Sequence, residues 1–190
     1  MILRRPAVRE ARLAIGEGRA IVGAMTILFC HGLESGPHGR KFHALVDAGF
    51  DVRSPDCRGR DLAERVVILR DAILAGAPSV VVGSSFGGIA GLLAADEAAA
   101  RGVVVPALVL LAPALHVPLP GGRSLPRPPA PTVIVHGVAD AVVPIAVSRA
   151  YAAEHGVRLV EVEDEHALAR SLAIVIEEVG AAAARGRVSA

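Results

Sequence analysis

The sequence has no tryptophan, and aromatic residues make up only 3% of it. Its core must therefore be assembled from Val, Leu, Ile and Ala. A nucleic-acid surface, which interleaves basic residues with stacking rings, gets no support. An excess of either charge is also missing: 20 Lys and Arg stand against 19 Asp and Glu, a net charge of +1. The two cysteines, Cys30 and Cys57, are too few for a disulfide framework, and a reducing cytoplasm is the expectation. Neither is placed as a nucleophile: Cys30 falls in an expected buried strand and Cys57 in a polar loop. No apolar run approaches the length of a membrane span. The histidines lack the H-x-H or H-E-x-x-H spacing of metal sites. The glycine-rich stretch 32–41 ends in Lys41 but lacks the G-x-x-x-x-G-K-[ST] spacing that cradles phosphate, and Gly16 and Gly18 follow no strand. Neither cofactor nor metal is expected.

What is present suits one domain: 190 residues, 53% of them hydrophobic, can bury a sizeable core. Residues 1–24 differ from the rest. Arg4, Arg5, Arg9, Arg12 and Arg19 interrupt any apolar stretch a secretory signal would need. This segment reads as a nonessential extension, either an alternative start upstream of Met25 or a short amphipathic helix. The domain proper is expected over 25–180, with a fraying tail over 181–190.

From Met25 onward, short apolar runs alternate with helical patterns. Strands are expected at 26–30, 50–54, 79–82, 107–111, 132–135 and 157–162, and helices at 37–48, 61–75, 85–100, 144–155 and 167–179. Leu62, Val66, Leu69 and Ile73 repeat on one helical face, as do Leu168, Leu172, Val175 and Val179. About six strands separated by helices imply parallel pairing in a doubly wound α/β sheet. Ligands of such sheets bind beyond the C-terminal strand ends. The loops 31–37, 53–60, 84–86, 112–131, 136–143 and 163–167 therefore hold the candidate site.

One of these loops carries Gly83-Ser84-Ser85-Phe86-Gly87-Gly88, directly after Val80-Val81-Val82. Only Ser85 has glycine two residues away on both sides. A strand turning sharply into a helix holds its serine in a sparsely populated backbone region, where flanking side chains would collide. Ser85 is thus the candidate nucleophile. A serine hydroxyl needs a base, and the base needs a carboxylate to orient it. Of seven histidines, His38, His43 and His155 fall on helices and His116 in a loop, while His166 follows the last strand. His166 is the candidate base. Asp140, in His136-Gly137-Val138-Ala139-Asp140, is the candidate acid, with His136 shaping its loop. Asp164 and Glu165 adjoin His166 in sequence, and such neighbours rarely face the same ring. The backbone N–H groups of Leu33 and Phe86 are the candidate oxyanion hole.

The ordered set HG at 31–32, GSSFGG at 83–88, HGVADAVVP at 136–144 and EH at 165–166 resembles the α/β-hydrolase superfamily. The opening HGLESGPHGRK is similar to small cap-less bacterial esterases of the YqiA-like type. The HG-x-x-D-x-x-V-P loop is similar to that of dienelactone hydrolases and related carboxylesterases. The resemblance covers residues 26–180 and implies an esterase or thioesterase with Ser85, Asp140 and His166 as its triad. It departs from the superfamily in that the usual first antiparallel strands are missing or reduced to the N-terminal segment 1–24. The segment 112–131 is also too short for a cap domain.

Three functions compete on these grounds: a serine hydrolase of small esters or thioesters, an acyltransferase or peptidase with the same triad, and a non-catalytic interaction protein on this scaffold. The expected partner is a small-molecule substrate, not nucleic acid or membrane. Seven prolines stiffen residues 113–131, so the substrate site is expected to be open and shallow, walled by Leu33, Phe86, Leu115 and His116.

Overall fold

A computed structural model describes residues 25–186. The expected N-terminal extension, residues 1–24, lies outside the described residues. In chain order the elements are β1 (Thr26–Cys30), α1 (Arg40–Asp47), β2 (Asp51–Arg53), α2 (Leu62–Gly76), β3 (Val80–Ser84), α3 (Phe86–Ala99), β4 (Leu108–Leu111), β5 (Thr132–Gly137), α4 (Ile145–His155), β6 (Arg158–Val162) and α5 (Leu172–Gly186). A short 3-10 turn at Pro120–Gly122 interrupts the proline-rich loop.

The strands form one sheet of six in the order β2-β1-β3-β4-β5-β6, every neighbouring pair parallel. β3 and β4 are fully buried, which is why they read as unbroken Val and Leu runs. Strand order reverses between β1 and β3. Their C-terminal loops diverge there and open a crevice.

Each face of the sheet carries its own core. On one side α2, α3 and α4 pack through Val66, Leu69, Ile73, Ile89, Leu92 and Tyr151. On the other, α1 and α5 pack through Leu45, Val175, Val179, Ala182 and Ala183. Asp61 starts α2 with a capping box: its carboxylate accepts from the Glu64 N–H while the Glu64 side chain accepts from the Asp61 N–H. Such a cap contributes about 1 kcal/mol. Helix α3 follows Ser85 directly and is buried around most of its circumference. Its alanines and glycines let it lie close against the sheet.

The last helix departs from expectation at both ends. Its periodicity predicts a start near Ala167, yet it begins at Leu172. Asp164 holds the intervening turn, accepting from the N–H groups of Glu165, Arg170 and Ser171 at 2.8, 2.8 and 2.9 Å, and Leu168 is buried there with φ +53°. Of the tail expected to fray from Gly180, residues 187–190 lie outside the described residues. Helix α5 runs on to Gly186, because Ala182 and Ala183 are buried against the sheet.

Candidate active site

The crevice is built around the turn from β3 into α3. Ser85 sits there with φ 54° and ψ −119°, a conformation that costs on the order of 1–3 kcal/mol. Its N–H donates to the Leu111 carbonyl at 2.9 Å, and its carbonyl accepts from the N–H groups of Gly88 and Ala114 at 2.8 and 3.0 Å. The neighbouring glycines are required by space. A Cβ on Gly83 would stand 2.6 Å from the Gly87 carbonyl oxygen, and one on Gly87 would run into the backbone of Cys30 and His31.

Two further loops bring a ring and a carboxylate to Ser85. His166, from the loop after β6, places Nε2 2.9 Å from Ser85 Oγ and Nδ1 2.7 Å from Asp140 Oδ2. Asp140, from the loop after β5, has a fully buried side chain, while that of His166 is 24% exposed, so only the ring meets the cleft. Asp140 Oδ1 accepts from the N–H groups of Val142 and Val143, both at 2.8 Å. Burial alone would raise the pKa of this carboxyl. The Val143 N–H, the His166 ring and the Val142 N–H together outweigh that effect and hold it below the ordinary value.

His136, fully buried, braces the acid loop. Its Nε2 lies 3.0 Å from the Val143 carbonyl and 3.1 Å from Asp140 Oδ2, and its Nδ1 lies 2.8 Å from Ser148 Oγ. A proton on Nε2 serves both acceptors, leaving Nδ1 to accept from the Ser148 hydroxyl. Asp164 bonds its own loop backbone, as described above, and is not a partner of the His166 ring.

Leu33 and Phe86 flank Ser85 in the cleft. The Leu33 N–H has no acceptor among the described residues. The Phe86 N–H is a first-turn group, which a helix leaves without an internal partner. A residue missed in the sequence, Arg65 of α2, holds both together. It is 1% exposed, and its Nη1 donates to the carbonyls of His31 and Gly32 at 3.0 and 3.3 Å. Its Nε donates to the Arg60 carbonyl at 3.1 Å, and its guanidinium carbon lies 5.2 Å from the centroid of the Phe86 ring. Nη2 has no partner among the described residues.

His31 adds a second restraint: Nδ1 donates to the Gly32 carbonyl at 2.8 Å, and Nε2 accepts from the Cys57 N–H at 2.9 Å. The Gly32–Leu33 peptide is trans, so anchoring its carbonyl on the Arg65 side turns the Leu33 N–H the opposite way.

The cleft over Ser85 has a volume of about 510 Å³. Leu33, Phe86 and His116 line it as expected, but Leu115 does not. The Leu115 N–H closes a tight turn onto the Pro113 carbonyl at 2.8 Å, which sends its side chain into the core, where it is 5% exposed. Ala114 and Val117 take its place on the cleft, with Val142 and Val143 from the acid loop and Lys41 from α1. Cys57 lies in the polar loop between β2 and α2, as expected, but its side chain is buried there, and burial pushes both thiols up, away from the reactive thiolate. Among the described residues, no group of three or more His, Cys, Asp or Glu could hold a metal ion, and no helix is long and apolar enough to cross a membrane.

Neither a family model nor a curated protein matches the sequence. Solved structures are similar. An α/β-superfamily hydrolase from Xanthomonas campestris pv. campestris superposes with a TM-score of 0.64 at 25% identity, over 85% of this chain and 94% of that one. An α/β serine hydrolase homologue from Coxiella burnetii gives 0.62 at 22% identity, over 84% and 85%. A serine hydrolase without a lid, also from Xanthomonas campestris, gives 0.64 at 17% identity, over 86% and 84%. In this chain, too, only the segment 112–131 joins β4 to β5, the place where a lid would be inserted. By fold the chain is an α/β-hydrolase, with no lid domain among the described residues.

Proposed function

We propose that this chain is a serine hydrolase that cleaves small carboxylic esters or thioesters through an acyl-enzyme on Ser85. One observation carries the reading: hydroxyl, imidazole and carboxylate stand in a single hydrogen-bonded line, 2.9 and 2.7 Å long, with its serine end open to the cleft. In the first half-reaction Ser85 Oγ attacks the substrate carbonyl and His166 Nε2 takes its proton. Asp140 holds the Nδ1–H and stabilises the imidazolium without accepting the proton. The N–H groups of Leu33 and Phe86 face the oxygen on which negative charge develops. The tetrahedral adduct collapses, His166 gives its proton to the leaving alcohol or thiol, and the acyl group stays on Ser85. Water then attacks the acyl-enzyme with His166 again as base, releasing the acid. The likeness to lidless serine hydrolases supports the same chemistry.

The test is labelling by a fluorophosphonate probe beside turnover of p-nitrophenyl esters and acyl-CoA thioesters. The wild type is labelled and active, Ser84→Ala keeps both properties, and Ser85→Ala loses both while remaining folded. An active, labelled Ser85→Ala would refute the assignment.

A further inference from the structure

Lys41 is the only lysine among the 20 Lys and Arg residues of the sequence. Everywhere else this chain places arginine where it carries a cation, and its one primary side-chain amine lines the cleft that holds Ser85 and His166. Burial and the neighbouring Arg40 disfavour its charge, while Asp164 and Asp140 favour it. Lys41 is half-buried and stands in the first turn of α1, the positive end of a helix with no acidic residue in that turn and no side-chain cap. It forms no hydrogen bond or ion pair among the described residues. Burial pulls its pKa down to about 8, against the pull of Asp164 and Asp140, so most of it is charged at neutral pH.

Those two carboxylates are the ones that act on its charge, and both are engaged elsewhere. Asp140 is bonded to Val142, Val143 and His166, and Asp164 to Glu165, Arg170 and Ser171. The acidic residue that does line the cleft, Glu34, is exposed to water and forms no ion pair with Lys41. Lys41 thus brings to the cleft a half-buried ammonium with three donors and no protein acceptor, able to bind an anion that arrives with the substrate.

We propose that Lys41 is a specificity-determining residue that selects esters bearing a carboxylate in the part of the substrate that occupies this cleft. The proposal rests on the hydrolase reading above and names its substrate class. A charge-assisted hydrogen bond of this kind gives roughly a ten- to hundredfold preference over a neutral substrate of the same shape.

The experiment compares matched esters. One pair, monomethyl adipate and methyl hexanoate, carries the charge on the acyl side. The other, 4-acetoxybenzoate and 4-acetoxybenzamide, carries it on the leaving group. The readout is the anionic-to-neutral ratio of kcat/KM for wild type, K41M and K41R. Calorimetric binding of monomethyl adipate and methyl hexanoate to S85A and to S85A/K41M supplies a measurement independent of turnover. The expected result is a ratio of ten or more in at least one pair, falling to about one or below in K41M and partly restored in K41R. Equal turnover of charged and neutral esters by wild type and K41M overturns the proposal and leaves the hydrolase reading standing. No turnover of any ester, with Lys41-dependent binding of the anionic ester retained, overturns the hydrolase reading and leaves the anion site standing. Thermal melts of each variant separate loss of selectivity from loss of fold.

Discussion

Replacing Arg65 by Met tests whether the backbone donors beside Ser85 are held from below. The substitution keeps a long side chain but removes the donors to the carbonyls of His31, Gly32 and Arg60, as well as the cation over the Phe86 ring. Deleting an oxyanion donor outright costs about 2.7–4 kcal/mol of transition-state stabilisation. Arg65→Met leaves both N–H groups in the chain and loosens only their orientation, and His31 Nδ1 still holds the Gly32 carbonyl at 2.8 Å, closer than Arg65 does at 3.3 Å. The expected loss is therefore smaller, about ten- to hundredfold in kcat (about 1.4–2.7 kcal/mol), with KM little changed.

Stability responds differently. Three carbonyls lose a donor, but a buried cation with one unpartnered nitrogen is removed as well, and the two effects offset to a net cost of about 1–2 kcal/mol. The assay is steady-state hydrolysis of an aryl acetate, well below the melting temperature, beside the Kd of an arylboronic acid. The boronic acid becomes tetrahedral on Ser85 and places an oxygen where the oxyanion would sit. Boronate affinity should fall in proportion to kcat. A folded Arg65→Met protein with wild-type kcat and boronate affinity would show that the loop keeps its shape without Arg65.

The two buried aspartates should part company under substitution. Asp140→Asn is expected to lower kcat by on the order of 10⁴-fold with little change in KM, whereas Asp164→Asn, which keeps one acceptor oxygen but replaces the other with an NH2 donor facing backbone N–H groups, lowers the melting temperature while hydrolysis persists; steady-state kinetics and thermal melts of both variants check this. Both carboxyls are held below the ordinary value of 3.8, so the stability they contribute is fully present above that value and is lost as pH falls through their depressed native values. Unfolding free energy should therefore be flat above about pH 5 and drop below about pH 4, with a shallower drop in Asp164→Asn, as read from denaturant titrations at each pH. Leu33 and Val142 on the cleft wall are 57% and 64% exposed, so an added methylene gains less than the ~0.8 kcal/mol of full burial. A steady rise in kcat/KM from two-carbon to twelve-carbon p-nitrophenyl esters would contradict an open cleft.

The parts of this molecule legible in its sequence are those whose constraints are local. Gly83, Ser85 and Gly87 are fixed by one sharp turn, and the apolar runs of β1, β3 and β4 by burial on both faces. Asp140 and His166 follow from the order of loops along one sheet edge. Contacts made across the fold were not legible in the same way. Arg65 lies three residues after Leu62 and four before Leu69, so helical spacing placed a charged residue beside the buried face of α2. The carbonyls that stabilise it there come from a loop more than thirty residues away. Leu115 and His116 could not be told apart without the tight turn at Pro113. The late start of α5 depends on Asp164 accepting three N–H groups ahead of it, a tertiary restraint that overrides the apolar periodicity.

Having a single side-chain amine has a practical meaning at the bench. With Cys30 and Cys57 both buried, the molecule offers thiol chemistry no accessible handle. Reagents that couple through amines find only the α-amino group and Lys41. Fixing this protein to an amine-reactive surface through Lys41 would tether it by its own substrate cleft. A solvent-sensitive fluorophore attached to the same nitrogen would instead sit where substrate enters, and its colour would report each time the cleft fills.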